Sequence, residues 1–298
     1  MSAPAAAYLP FRAEVSRPRR PLPAGAADCH FHVFEGEAVH PYAEPRSYTP
    51  TPAPLAAYRH MADVLGLQRA VLVHPSVYGA DHRSFEALLA ANGGWMRGVA
   101  VVYPQTADAD IERWHRLGAR GTRCNALFAG GAQMPDLRAI VERVRPLGWH
   151  LQLLIDVERD PDLVPQMAAL GVPVVVDHFG HVPAGRALAS RGFNNLLAAV
   201  REGVAWVKLS GAYRISPQRR GYTDVRPLAE ALLRANPAQL VWGSDWPHPA
   251  IQAPMPDDGH LADALLDGCS PGELQQVLVD NPTRLYWHDG PGTPGRAD

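Results

Sequence analysis

The chain has 298 residues, a hydrophobic fraction of 47 % and a formal net charge of −2. That length suits one α/β barrel or two ordinary domains, and the near-neutral charge excludes a general nucleic-acid binder, which needs a basic stripe to neutralise phosphates. Cys29, Cys124 and Cys269 are too few and too far apart for a disulfide framework or a CxxC zinc site, so a reducing cytoplasm is the expected setting, and no apolar run reaches the roughly 20 residues of a membrane span.

Residues 1–24 are rich in Pro, Ala and Arg and too broken by proline to read as a signal peptide. They are expected to form an extended N-terminal arm. After residue 24 short β-rich runs alternate with segments whose apolar residues recur at helical spacing. The predicted strands are ADCHFHVF from Ala27, RAVLVHPS from Arg69, MRGVAVVYP from Met96 and ARGTRCNA from Ala119, then WHLQLLID from Trp149, VPVVVDH from Val172, VAWVKLS from Val204 and QLVWGSD from Gln239. Eight strands alternating with helices predict a parallel sheet closed into a single (β/α)8 TIM barrel, an α/β fold spanning residues 25–288. An open doubly wound sheet would call for a glycine-rich phosphate loop after the first strand, and there is none. Ser270 to Tyr286 reads as an extra C-terminal helix and residues 289–298 as a tail. The connection from Glu35 to Pro54, rich in Pro and Tyr, has the length of loops that carry function or cover a site.

In a barrel, alternate strand residues point inward and catalytic groups gather at the C-terminal strand ends. By that rule His30 and His32 end strand 1 on one face, Ser76 ends strand 2, and Arg123 and Asn125 end strand 4 together. His178 ends strand 6, Ser210 and Arg214 follow strand 7, and Asp245 ends strand 8. An isolated HxH is weak evidence of a site. HxH after the first strand, His after the sixth and Asp after the eighth together are a constellation. His40, His60, His82, His115, His150, His260 and His288 fall on helices, loops or the wrong strand end and are expected mostly at the surface. His74 and His181 flank the rim without an assigned role. Lys208, the sole lysine, shares a face with Ser210 and is expected inside the barrel, paired with Asp28 because a buried ammonium needs a partner.

The stretches DCHFHVF at Asp28, PYAEPRSYTP at Pro41, VHPSVYGAD at Val73, ARGTRCN at Ala119, VVDHFGH at Val175, VKLSGAYRIS at Val207 and VWGSDWPHP at Val241 resemble the amidohydrolase-2 group of the amidohydrolase superfamily, in particular its branch of 2-pyrone-4,6-dicarboxylate hydrolases and related lactonases. The resemblance runs through nearly the whole chain from residue 25. It implies a barrel that hydrolyses a lactone or pyrone ring, with Asp245 taking the proton of the attacking water and His30, His32 and His178 around the carbonyl. It further implies Tyr48, Ser76, Arg123 and Arg214 as substrate contacts. The pyrone hydrolases place another Arg after the strand-4 motif and a Tyr after strand 5, whereas this chain has Ala126 to Gly131 and Leu154 to Val157 there. The dicarboxylate substrate is therefore in question, with sulfomuconolactone or sugar-acid lactones open.

The residue chemistry agrees with ester hydrolysis. A rim carboxylate deprotonates water if geometry suits, histidines or a metal stabilise the oxyanion, and guanidinium forks at Arg123 and Arg214 match an anionic substrate. The other reading of each arginine is a pair with a structural carboxylate. Binuclear members of the superfamily use a modified lysine on strand 4, and here the lysine is on strand 7. One zinc held by His30, His32, His178 and Asp245, or catalysis without metal, both remain open. No GxSxG elbow supports a serine nucleophile. The expected partner is a small anionic lactone, with neither nucleic acid nor membrane, and the sequence leaves the oligomeric state undetermined. The alternatives are a metal-dependent decarboxylase of an aromatic or unsaturated acid and a non-catalytic ligand-binding barrel.

Overall fold

A computed structural model describes residues 8–127, 134–252 and 254–288. Eight parallel strands follow one another around the sheet in chain order: β1 (Ala27–Phe31), β2 (Arg69–Val73), β3 (Met96–Ala100), β4 (Ala119–Asn125), β5 (His150–Leu154), β6 (Val174–Val176), β7 (Ala205–Leu209) and β8 (Leu240–Trp242). The last strand returns to the first. Asp245 N–H donates to His30 O at 2.8 Å and His32 N–H to Trp246 O at 2.8 Å, so the segment after β8 closes the barrel on β1. The expected TIM barrel is present, and each strand is shorter than its apolar run because the terminal residues leave the ladder to form the rim.

Helices cover the strands through apolar stripes. Leu137, Ile140, Val141 and Val144 are the buried face of helix Leu137–Val144, a spacing of three to four residues that lines one side. The C-terminal run from Pro271 to Tyr286 opens with a capping box between Ser270 and Glu273. It passes through a π-helical segment just before Pro282, whose ring cannot continue regular i→i−4 pairing. Tyr286 at its end joins the interior cluster of Ala27, Val71, Val99, Val175 and Val241 and packs edge-on against His150. His150 is buried inside the barrel, not at the surface; Gly121 leaves room for it, since a Cβ there would lie 2.4 Å from the imidazole. His82 is also buried, stacked between His74 and Trp114. No helix among the described residues is long and apolar enough to cross a membrane.

Strand alternation fails at one place that matters. The β1–β2 pairing steps from Asp28↔Ala70 to Phe31↔Leu72, three residues on β1 against two on β2. This β-bulge reverses the facing of β1. His30 and His32 point inward, whereas Asp28 and Phe31 turn to the helix layer. There Phe31 stacks on Tyr58 with centroids 3.7 Å apart, and Asp28 accepts hydrogen bonds from Tyr58, Ser244 and the His30 N–H. Asp28 is therefore not the partner of Lys208. The lysine is inside the barrel and fully buried, but its carboxylate is Asp177, 3.6 Å away.

The closing seam also makes a demand on size. A Cβ on Gly243 would lie 2.6 Å from His30 Cβ and 2.8 Å from its nitrogen. Gly243→Ala is expected to destabilise the fold by about 1–3 kcal/mol through overpacking, read as a lower urea midpoint at unchanged slope. Gly272→Ala, at an exposed helical position with nothing within 4 Å of its Cβ, is the control and should be neutral or slightly stabilising.

Candidate active site

Four strand ends build the centre of the site. β1 supplies His30 and His32, with Nε2 atoms 3.3 Å apart; His32 Nδ1 is held 2.8 Å from Val73 O. Beyond β6, alternation from Val175 brings Asp177 inward. The next residue, His178, would face out, but its φ of 50° lies in the left-handed region and turns it into the same site. Gly211, at φ 63°, backs onto the His178 ring, where a Cβ would sit 2.8 Å from Nδ1; that nitrogen lies 2.8 Å from Ser210 Oγ. Asp245, at φ 64°, stands at the centre. Its Oδ1 is 3.8 Å from His30 Nε2 and 3.9 Å from His32 Nε2, and its Oδ2 is 3.7 Å from His178 Nε2.

The short helix Ala212–Ile215 adds two more groups to that carboxylate. Tyr213 Oη and Arg214 Nε each donate to Asp245 Oδ2 at 2.6 Å. Asp245 Oδ1 is buried with no hydrogen-bond partner among the described residues. A second carboxylate lies one layer deeper. Asp177 Oδ2 accepts from Arg123 Nε at 3.1 Å and from Gln152 Nε2 at 3.0 Å, while its Oδ1 faces His30 Nδ1 at 3.3 Å.

Burial and pairing set the charges. Desolvation pushes both carboxyls up, but the surrounding groups outweigh it. Arg214, His178, His30 and His32 hold Asp245 well below the usual carboxylate range, and His30, Lys208 and Arg123 do the same for Asp177. Burial lowers His30 to about 4 and holds His32 and His178 well below the ordinary histidine value. At neutral pH the centre is thus two carboxylates, two guanidiniums and three neutral imidazoles. Burial raises the Tyr48 hydroxyl to about 12, so it stays protonated.

A pocket of about 330 Å³ opens above this centre. His32, His178, Asp245, Tyr48, Ser76, Arg123 and Arg214 all line it, and His30 lies directly beneath. Tyr48 reaches it from the long loop after β1 and is hydrogen-bonded to Ser76. Both arginines combine the two readings open in the sequence, facing the pocket and pairing with a buried carboxylate. A larger cavity of about 550 Å³ lies outside the barrel behind β7 and β8; among its lining only Arg226 is charged, whereas the smaller pocket gathers histidines, arginines and a carboxylate.

His181 also lines the pocket, with its Nε2 buried and without a hydrogen-bond partner among the described residues; burial and the nearby Arg214 lower it to about 4. His74 does not. It packs on His82, with Nε2 3.0 Å from Gly79 O. Sequence reasoning missed Asp177 and Tyr213. Alternation from Val175 would have found Asp177, which its neighbour His178 overshadowed. Nothing local signals Tyr213, whose direction is set by the turn at Gly211. Of the uncharged stretch after β4, Ala126 and Leu127 are on the rim side of the ladder, while Phe128 to Gly131 lie outside the described residues.

The sequence matches the amidohydrolase family profile over residues 27–287. It is 37 % identical over 292 residues to a 2-pyrone-4,6-dicarboxylate hydrolase of Comamonas testosteroni, covering 94 % of this chain and 96 % of that one. It is 34 % identical over 273 residues to a 4-sulfomuconolactone hydrolase of Hydrogenophaga intermedia, covering 89 % of each. Among solved structures, an apo protein of Agrobacterium tumefaciens superposes with a TM-score of 0.80 at 25 % identity, covering 91 % of this chain and 99 % of that chain. The chain belongs to the amidohydrolase family.

Proposed function

We propose that this protein is a lactonase that opens the ring of a small anionic lactone or pyrone by hydrolysis. The observation that carries the reading is Asp245: an ionised carboxylate at the rim, with one oxygen free of hydrogen bonds among the described residues, surrounded by three imidazoles, paired with Arg214 and sharing its pocket with Arg123. The hydrolases of Comamonas and Hydrogenophaga, alike over nearly their full lengths, act on cyclic esters. That likeness favours ring hydrolysis over decarboxylation and over a non-catalytic barrel. Three buried thiols, none in a disulfide, agree with a cytoplasmic setting.

In this reading Asp245 Oδ1 takes a proton from water as the water oxygen bonds to the acyl carbon. His30 and His178, neutral and in a dry site, donate to the oxygen on which negative charge develops, while His32 keeps its proton on the nitrogen that faces Val73 O. The ring C–O bond then breaks, and the proton held by Asp245 passes to the departing oxygen. Arg123 and Arg214 hold the substrate's anionic group, with Tyr48 and Ser76 adding hydrogen bonds. Arg214 has a double part. Bound to Asp245 it holds the carboxylate ionised and makes it a weak base; drawn toward a substrate anion it loosens that hold, so anion binding strengthens the base.

A single metal fits the donor set. Ligand atoms of His30, His178 and Asp245 all lie within 4.8 Å of one another, His32 is adjacent, and Asp245 Oδ1 is a buried oxygen without a hydrogen-bond partner among the described residues. These nitrogen and oxygen donors suit zinc, which when bound would polarise the substrate carbonyl.

Asp245→Asn is expected to lower kcat at least about 100-fold, the lower end for a positioned base. Turnover near the wild-type rate in a variant that folds normally would exclude this role.

Substrate charge gives a second test. The described part of the stretch after β4 offers no cation for a second carboxylate, so 2-pyrone-4,6-dicarboxylate is expected to be a poorer substrate than singly charged or sulfonated lactones. Arg123→Met should raise KM for the preferred lactone by about tenfold or more, the loss of a charge-assisted pair. Rapid hydrolysis of the dicarboxylate that is indifferent to Arg123→Met would contradict both the anchor and the specificity.

A further inference from the structure

Lys208 is the only lysine in a chain with 28 Lys and Arg residues. It is fully buried, below the catalytic layer. An ammonium has three donors and no acceptor. Two of them are committed to oxygens, Cys29 O at 2.9 Å and Gln152 Oε1 at 2.7 Å. Because Gln152 accepts with Oε1, its Nε2 is free to donate to Asp177, so the amide orientation is consistent from both sides. The third donor of Lys208 faces His30 Nδ1 at 3.3 Å.

His30 Nδ1 is contested. It lies 3.3 Å from the ammonium, which only donates, and 3.3 Å from Asp177 Oδ1, which as a carboxylate only accepts. A neutral imidazole satisfies one of them. Among the described residues Asp177 Oδ1 has no hydrogen-bond partner, whereas Lys208 Nζ makes a hydrogen-bond contact with His30 Nδ1. The far side of the ring points the same way. His32 Nδ1 sits against a carbonyl oxygen, so that nitrogen carries the proton and His32 Nε2 presents a lone pair to His30 Nε2 at 3.3 Å. With its proton on Nε2, His30 accepts from Lys208 at one end and donates to His32 at the other. With its proton on Nδ1, two imidazole lone pairs and Asp245 Oδ1 would converge with no donor between them.

We propose that Lys208 is a positioning residue that fixes the tautomer of His30, keeping its proton on Nε2 so that His30 offers the site a hydrogen-bond donor instead of a metal-binding lone pair. In the reaction that N–H is exchanged from His32 to the carbonyl oxygen of the lactone. For His30 to ligate a metal through Nε2, its proton must move to Nδ1 and be accepted by Asp177 Oδ1, and Lys208 must give up its third hydrogen bond. Lys208 and Asp177 thus compete for one nitrogen, and the outcome decides which chemistry His30 supplies. The catalytic consequence rests on the lactonase reading, but the tautomer does not and is measured without substrate.

The experiment is a long-range 1H–15N spectrum of metal-free protein labelled at histidine, with His30 assigned by its loss in His30→Asn. The wild-type ring should show a protonated Nε2 and a bare Nδ1. Lys208→Met should move the proton to Nδ1. It should also tighten zinc binding, followed by titration calorimetry of the metal alone, by about tenfold or more, the size of effect that partners of metal ligands exert. Turnover of that variant should fall about tenfold or more with KM little changed. A wild-type His30 protonated on Nδ1 overturns the proposal even if Lys208→Met does not fold. A folded Lys208→Met variant that keeps both the wild-type tautomer and the wild-type zinc affinity overturns it as well.

Discussion

Two carboxylates that stay ionised in the dry interior of the barrel govern the rest of this structure. A buried charge without a partner is prohibitively unfavourable. Asp177 therefore draws Arg123, Gln152 and Lys208 to the barrel axis, and Asp245 draws Tyr213 and Arg214 down from the helix after β7. The histidines fill the space between the two anions. Removing either carboxylate would leave cations buried and unpaired, so site and fold are not separable at this depth.

The same pairing sets a conflict between holding charge and doing chemistry. The groups that hold Asp245 ionised also depress its basicity, because Arg214 and Tyr213 both occupy Oδ2. Oδ1 escapes this hold and faces the histidines. One carboxylate thus divides its duties between its oxygens, one anchored and one available.

Positions off the regular strand pattern carry much of the site. The bulge in β1 turns His30 and His32 inward together and sends Asp28 to Tyr58 and Ser244. Left-handed backbone at His178 and Asp245 aims those side chains where ideal strands would not. Such conformations cost of order 1–3 kcal/mol each and persist where the surroundings over-determine them. Here the surroundings are the closing hydrogen bonds between the segment after β8 and β1, and the small residues Gly211 and Gly243 that let the histidine rings pack.

The sequence by itself determined the barrel and the membership of the rim. Strand starts are marked by abrupt changes from helical to β periodicity, and the strand-end rule then selects His30, His32, Ser76, Arg123, His178 and Asp245, because parallel strands place all their C-terminal ends on one face. Tyr48 was legible only through resemblance, since a long loop has no period from which to read its direction. Tertiary structure alone decided the pairing. Lys208 pairs with Asp177 and not Asp28, because one extra residue in β1 inverts a parity that sequence counting assumes to be unbroken. Tyr213 and Arg214 meet Asp245 because a left-handed turn at Gly211 opens the short helix that carries them toward the end of the neighbouring strand. Periodicity encodes which face a residue is on; which charge finds which, through a shared interior, depends on distances that exist only after the barrel closes.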